Sequence, residues 1–188
     1  MKRNEFMATA AAVISFPFLA FAISEKQAKR AEKGFKITAG EGRLHGHIVL
    51  QGVNNNIMDV KVSGSDTNGD LAIFEQTSLS PGRGTPLHVH HYQDEVFYVI
   101  EGEYRFQVGL ERYTLTKGDN IFLPRAVPHA WTQVSKTGKM NVLFQPAGKL
   151  EEFFLTMASL DHEPSKEEVR KIFEDNEMSV VGPPLEIN

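Results

Sequence analysis

Three histidines and one glutamate in this chain stand at spacings that let them share one divalent ion. His88 and His90 flank a single valine, Glu95 follows five residues later, and His129 comes after a stretch bounded by Pro124 and Pro128. Side chains along a strand alternate between faces, so His88 and His90 point one way while Val89 and His91 point the other. Imidazole suits Zn, Cu, Fe or Ni, and a carboxylate adds an oxygen donor. His129 leaves a stiff loop and opens a new strand, which makes it the natural fourth ligand. An H-x-H pair alone is commonly just the polar face of a strand; three histidines and one glutamate at these spacings, punctuated by glycine and proline, are hard to obtain that way. The chain has no cysteine, so no thiolate narrows the choice. One divalent ion is expected, with Fe, Mn, Ni, Zn and Cu all open. Three neutral imidazoles and one carboxylate leave one or two positions free, which is the arrangement of a catalytic site and not of a structural one.

The residues around these ligands are strand formers. After Glu95 the run V-F-Y-V-I is β-branched and aromatic, which is strand composition, and it stops at the turn signal Glu101-Gly102. Gly118-Asp119 is a second turn, followed by a strand at 121–123. Further strands are expected at 35–38, 48–50, 57–62, 71–79, 104–108, 112–115, 131–134 and 140–145. The stretch S-D-T-N-G-D at 65–70 superficially resembles a calcium loop but is too short and lacks the closing glutamate; with Asn68-Gly69 at its tip it reads as a hairpin turn. His45 and His47 form a second H-x-H, but no glutamate follows, so they belong to exposed strand or loop.

Alternation carries the argument outward from the ligands. From Glu95 it puts Phe97 and Val99 on the ligand face; from His129 it puts Trp131 and Gln133 inward. These four would wall an aromatic, mostly apolar substrate pocket with one amide. Phe97, Val99 and Trp131 read equally well as barrel core, since pocket and core share composition. Tyr98 and Ile100 fall on the opposite face. Tyr98 is aromatic with a polar tip, as interface residues tend to be, so a homodimer is expected there, with a cover of C-terminal helices as the competing reading.

Two short helices are expected after Pro146-Ala147-Gly148. Leu150, Phe153, Phe154 and Met157 recur at helical spacing,, and Ser165 with Glu168 forms a capping box for a second helix with apolar Val169, Ile172 and Phe173,. Both are expected to cover barrel surface without chemistry. The tail from Val180 to Leu185 has two prolines and no helical future,.

The two ligand stretches together resemble the paired motifs of the cupin superfamily. The first fits G-x5-H-x-H-x4-E-x6-G at Gly82, His88, His90, Glu95 and Gly102. The second is similar to G-x5-P-x-G-x2-H-x3-N at Gly118, Pro124 and His129, with Ala126 in place of the glycine and Gln133 in place of the asparagine. The resemblance implies an all-β fold, a single cupin jelly-roll barrel with the metal inside. With the D-T-N-G turn, the P-A-G-K-L-E-E-F-F passage and the G-P-P-L tail it extends over about 40–185 and is similar to the small single-domain quercetin 2,3-dioxygenase-like branch. The expected division is a signal peptide at 1–22, a mobile leader at 23–33, the barrel at 34–146 and a helical extension with tail at 147–188.

The chain's 188 residues and net charge of −4 fit one domain without a basic surface for nucleic acid. Lys2 and Arg3, the apolar run from Met7 to Phe21 and Ala20-Phe21-Ala22 form the pattern of a bacterial secretory signal peptide. The run is short for a membrane span, although an uncleaved anchor is the competing reading. Export to the periplasm or beyond follows, with no stable membrane insertion after cleavage.

On function the resemblance implies an enzyme in which a small chelating aromatic or enol substrate reacts with dioxygen. Glu95 would be the catalytic proton acceptor as well as a ligand. Two other readings stand beside it: a non-enzymatic periplasmic module for a carbohydrate or other small molecule, and a sugar isomerase or epimerase.

Overall fold

The computed structural model describes residues 30–187. The signal peptide expected at 1–22 and most of the leader expected at 23–33 lie outside the described residues. The end of that leader is tied down: the Arg30 guanidinium donates to the Thr67 carbonyl at 3.1 Å, and the Ala31 N–H to the Asp66 carbonyl at 2.8 Å.

The strands come in chain order as β1 (Ile48–Val49), β2 (Ile57–Val62), β3 (Ala72–Ser78), β4 (Pro86–His90), β5 (Asp94–Glu101) and β6 (Tyr104–Val108). Then follow β7 (Glu111–Leu115), β8 (Asn120–Leu123), β9 (His129–Gln133), β10 (Gly138–Gln145), helices α1 (Leu150–Ala158) and α2 (Lys166–Asp175), and β11 (Met178–Pro184). They form two antiparallel sheets, ordered β1-β2-β3-β10-β5-β8 and β11-β4-β9-β6-β7. This is the expected all-β barrel with two short helices. Alternation holds where one face is buried: β3, β4 and most of β10 switch strictly between buried and half-buried side chains. The inward set, with Phe74, Val99, Tyr104, Phe106 and Met140 fully buried, fills the space between the sheets. Each such side chain contributes roughly 1.5–3 kcal/mol by leaving water.

Four local findings refine the sequence reading. Residues 35–38 pair with no strand; Phe35 instead lies exposed with the Arg43 guanidinium 4.5 Å over its ring. Asn68 (φ 59°) and Gly69 (φ 83°) are both left-handed, as an Asn-Gly hairpin tip requires, and a 3-10 turn at Gly64–Asp66 precedes them. Both helices form, and α2 has the expected capping box between Ser165 and Glu168. The tail, read only as non-helical, is strand β11. Its prolines are tolerated because it is an edge strand with a single neighbour, β4,. The segment expected to follow the barrel at 147–188 thus supplies a strand of the second sheet, and it turns β4 from an edge into an interior strand.

Helices α1 and α2 leave the outer face of β5 open: Tyr98 is 40 % exposed there, and Phe122 on neighbouring β8 is 57 % exposed. No helix among the described residues is long and apolar enough to cross a membrane.

Candidate metal centre

The two sheets bring the four expected ligands together. β4 supplies His88 and His90, its neighbour β9 supplies His129 in direct register with His88, and β5 of the other sheet supplies Glu95. One ligand-type atom from each residue lies within 4.8 Å of the others, and all four side chains are buried. Glu95 Oε2 is 3.2 Å from His129 Nε2 and 3.8 Å from His90 Nε2.

The loop before β9 is held in place by Arg125. Its backbone N–H and its Nε donate to Asp94 Oδ1 at 2.9 and 3.1 Å, which ties the loop to β5 next to Glu95 and keeps the Asp94 carboxyl below its usual range. Ala126, where the family pattern has glycine, is left-handed at φ 62°. That costs about 1–2 kcal/mol for a residue with a Cβ, and the Ala126 N–H is pinned to the His90 carbonyl at 2.8 Å. The departure from the pattern therefore places a Cβ residue in a conformation that favours glycine,.

Backbone carbonyls fix two of the imidazoles. His88 Nδ1 lies 2.8 Å from the Pro86 oxygen and His129 Nδ1 lies 3.0 Å from the Val127 oxygen. A carbonyl only accepts, so both rings carry their proton on Nδ1 and present a bare Nε2. His129 Nε2 is buried with no hydrogen-bond partner. A buried nitrogen lone pair aimed at two other imidazoles and a carboxylate is what a metal ligand looks like before an ion joins it. The donor set fits a divalent ion of the Zn, Fe, Ni, Mn or Cu kind.

Electrostatics agree with the geometry. Burial is the main cause that lowers the His88 pKa to about 3 and that of His129 to about 4, and it holds His90 well below the usual imidazole range. Burial also raises the Glu95 carboxyl to about 8, against a smaller opposing pull from His88. In the metal-free protein at pH 7 the histidines are therefore neutral and Glu95 holds a proton. The folded value of Glu95 lies above its ordinary one, so that proton is kept until the pH passes about 8. A divalent ion must displace it. Calorimetry of zinc binding at pH 7, in buffers of different ionisation enthalpy, should report about one proton released per ion, with affinity rising about tenfold per pH unit and levelling near pH 8. Release of two or more protons would show that the histidines enter charged.

The pocket residues divide. Phe97 and Trp131 line a cavity of about 70 Å³ together with His88, His90 and Glu95. Val99 is fully buried in the core and does not reach it. Gln133 points inward but is a structural staple: its Oε1 accepts from the Ser80 N–H at 3.0 Å, and its Nε2 donates to the Ser78 and Ser135 carbonyls at 3.1 and 2.9 Å. Sequence reasoning missed the cover. Leu150, Phe153, Phe154 and Met157 of α1 and Phe173 of α2 wall the same cavity, and the Phe173 ring stands edge-on to His88 at 5.3 Å. The helices close the metal chamber, where only a surface cover was expected. His45 and His47 stand apart from the cluster, bonded to Glu151 and Asp59 at 2.8 and 2.7 Å.

Residues 76–145, which hold all four ligands, match the family of the cupin domain. That segment is a cupin domain. A cupin of Shewanella frigidimarina, described as RmlC-like, superposes with a TM-score of 0.50 at 21% identity, over 63% of this chain and 96% of that one, which shows the jelly-roll fold. Among curated proteins the chain is 37% identical over 95 residues to quercetin 2,3-dioxygenase of Bacillus subtilis (strain 168), over 46% of this chain and 27% of that protein. It is 32% identical over 56 residues to the uncharacterized protein SCO3923 of Streptomyces coelicolor, over 30% of this chain and 53% of that one. The chain thus spans between about a quarter and about half of these relatives.

Proposed function

We propose that this cupin is a metal-dependent, dioxygenase-like enzyme acting on a small chelating aromatic or enol substrate. The observation that carries the reading is the buried three-histidine, one-glutamate cluster opening onto an apolar, aromatic-walled cavity. The quercetin 2,3-dioxygenase relative supports the same class over the segment it shares.

His88, His90 and His129 would hold the ion as neutral imidazoles, with Glu95 as carboxylate. A bound divalent ion would polarise a substrate oxygen and lower the cost of its deprotonation. Glu95 then accepts the substrate hydroxyl proton on a carboxylate oxygen. Phe97 and Trp131 receive the flat body of the substrate, while Phe153 and Phe173 keep water out, which strengthens every charge interaction within. The chamber's volume of about 70 Å³ falls below the roughly 300 Å³ at which ligand pockets usually begin. A catechol or a 1,3-diketone suits this space better than a flavonol, which needs α1 and α2 displaced. The walls are mostly apolar and aromatic, which favours a flat aromatic body, while Gln51, Asn54, Gln76 and Thr85 are the polar side chains in the lining besides the ligands.

Oxygen uptake tests the reading. Metal-free protein reconstituted separately with Fe, Mn, Ni, Cu and Zn should consume oxygen with small catechols or 1,3-diketones in at least one metal form. No uptake with any pair, together with a sugar that raises the melting temperature, would replace the enzyme by a carbohydrate-binding module.

A further inference from the structure

His88 and His129 rest on backbone carbonyls, but His90 does not. Its Nδ1 is buried and lacks a hydrogen-bond partner, and so does the buried Oε1 of Gln93. Gln93 follows His90 by three residues in the turn from β4 to β5, and its side chain is buried. At its other end Gln93 is committed: Nε2 donates to Glu177 Oε2 at 2.6 Å. An amide whose nitrogen is spent on a carboxylate has only its oxygen left to offer.

The surroundings hold this pair firmly. Glu177 sits between α2 and β11 with φ 66°, and its carbonyl accepts from the His91 N–H at 3.0 Å. The next residue, Met178, is the register partner of His90 in the β4–β11 ladder. On the other side Gly148 is left-handed (φ +53°), and a Cβ there would come within 2.1 Å of Gln93 Nε2. Only a glycine lets the chain pass so close to the amide.

We infer that Gln93, oriented by Glu177, is the positioning residue for His90 and accepts its Nδ1–H once Nε2 is given to a metal. The inference rests on the metal-binding reading of the cluster. Its chemistry is that of tautomers. Coordination through Nε2 forces the ring proton onto Nδ1, and this creates a donor where Gln93 Oε1 has a vacant acceptor. Two buried polar atoms that are unpaired in the metal-free protein would satisfy each other in the loaded one, so metal binding gains from the match.

Zinc affinity by chelator competition, and the visible absorption of the cobalt-substituted protein, test this without any substrate. Gln93→Leu keeps the bulk and removes the acceptor; it should weaken zinc roughly 10–100-fold and alter the cobalt bands. The double swap Gln93→Glu with Glu177→Gln keeps an acceptor towards His90 and an amide donor behind it, so it should restore both affinity and spectrum. Ser179→Ala, which removes the neighbouring bond to His91, should change neither. Unchanged zinc affinity and cobalt bands in Gln93→Leu would overturn the assignment. So would a swap as impaired as the single variant, since the loss would then come from packing and not from the acceptor. Wild-type protein that binds no zinc would instead remove the metal reading, and this inference with it.

Discussion

His129→Ala abolishes stoichiometric metal binding, and His88→Ala does the same, whereas His45→Ala and His47→Ala retain about one divalent ion per chain. Elemental analysis after purification and dialysis reads this directly. The expected loss is larger than the roughly 100-fold that follows from removing an outer partner of a ligand, because a donor atom itself goes. His88 and His129 are paired across β4 and β9, with ring centroids 4.5 Å apart, so losing either leaves a gap on the same side of the cluster. Melting curves give a second readout. Zinc at a thousand times its Kd should stabilise the wild type by about 4 kcal/mol, or roughly 8–16 °C for a chain of this size. The His129→Ala protein should show no such rise. The His88 and His129 variants also remove a buried imidazole beside a backbone carbonyl, so some loss of metal-free stability is expected and is measured separately. Equal metal loss from His45→Ala and His129→Ala would overturn the site.

The ligand set was legible in the sequence because it is local. His88 and His90 share β4, Glu95 follows a short turn later on β5 of the opposite sheet, and period-two alternation is enough to aim each,. His129 needs only the proline-bounded loop to bring it to the next strand. The same rule aimed Phe97, Val99, Trp131 and Gln133 inward, and all four are buried. Alternation gives the face of a strand but not the depth along the barrel. That is why Val99 and Gln133 fall below the chamber while Phe97 and Trp131 reach it. Gln133 carries a further lesson: an inward amide was read as a pocket wall, yet all of its hydrogen-bonding capacity that the structure shows goes to the backbone of 78–80 and to Ser135.

The cover of the chamber was hidden for a different reason. The stripe Leu150, Phe153, Phe154 and Met157 announces a buried helix face, but nothing local says what that face meets. Phe154 packs edge-on against Phe74 of β3 at 4.9 Å, and Phe153 against Phe173 of α2 at 5.0 Å; both contacts span long stretches of chain. Strand β11 was masked by Gly182-Pro183-Pro184, residues that argue against a central strand and are permitted at an edge. Its omission also hid Glu177 just before it, the carboxylate that accepts from Gln93 Nε2.

Glu95→Gln lowers turnover by about 10²–10⁴-fold per bound metal, the usual contribution of a positioned general base. The substitution keeps the size and one oxygen donor at the centre of the cluster, 3.2 Å from His129 Nε2 in the parent, and removes the basicity together with the negative charge. Turnover must be divided by metal content, because an amide is a weaker ligand than a carboxylate and some ion will be lost. The site makes the base role physically reasonable. Burial raises the metal-free Glu95 to about 8; a bound divalent ion lowers that value, so the base role rests on the position of the carboxylate oxygen beside a bound substrate hydroxyl. A substrate hydroxyl made acidic by the ion would meet that carboxylate in a chamber walled in part by Phe153 and Phe173. The slowest substrates to ionise should suffer most, so the deficit should be larger for a catechol than for a more acidic 1,3-diketone. Activity per metal that hardly changes, or a deficit equal for both substrates, would leave Glu95 as a ligand only and move the proton to another acceptor.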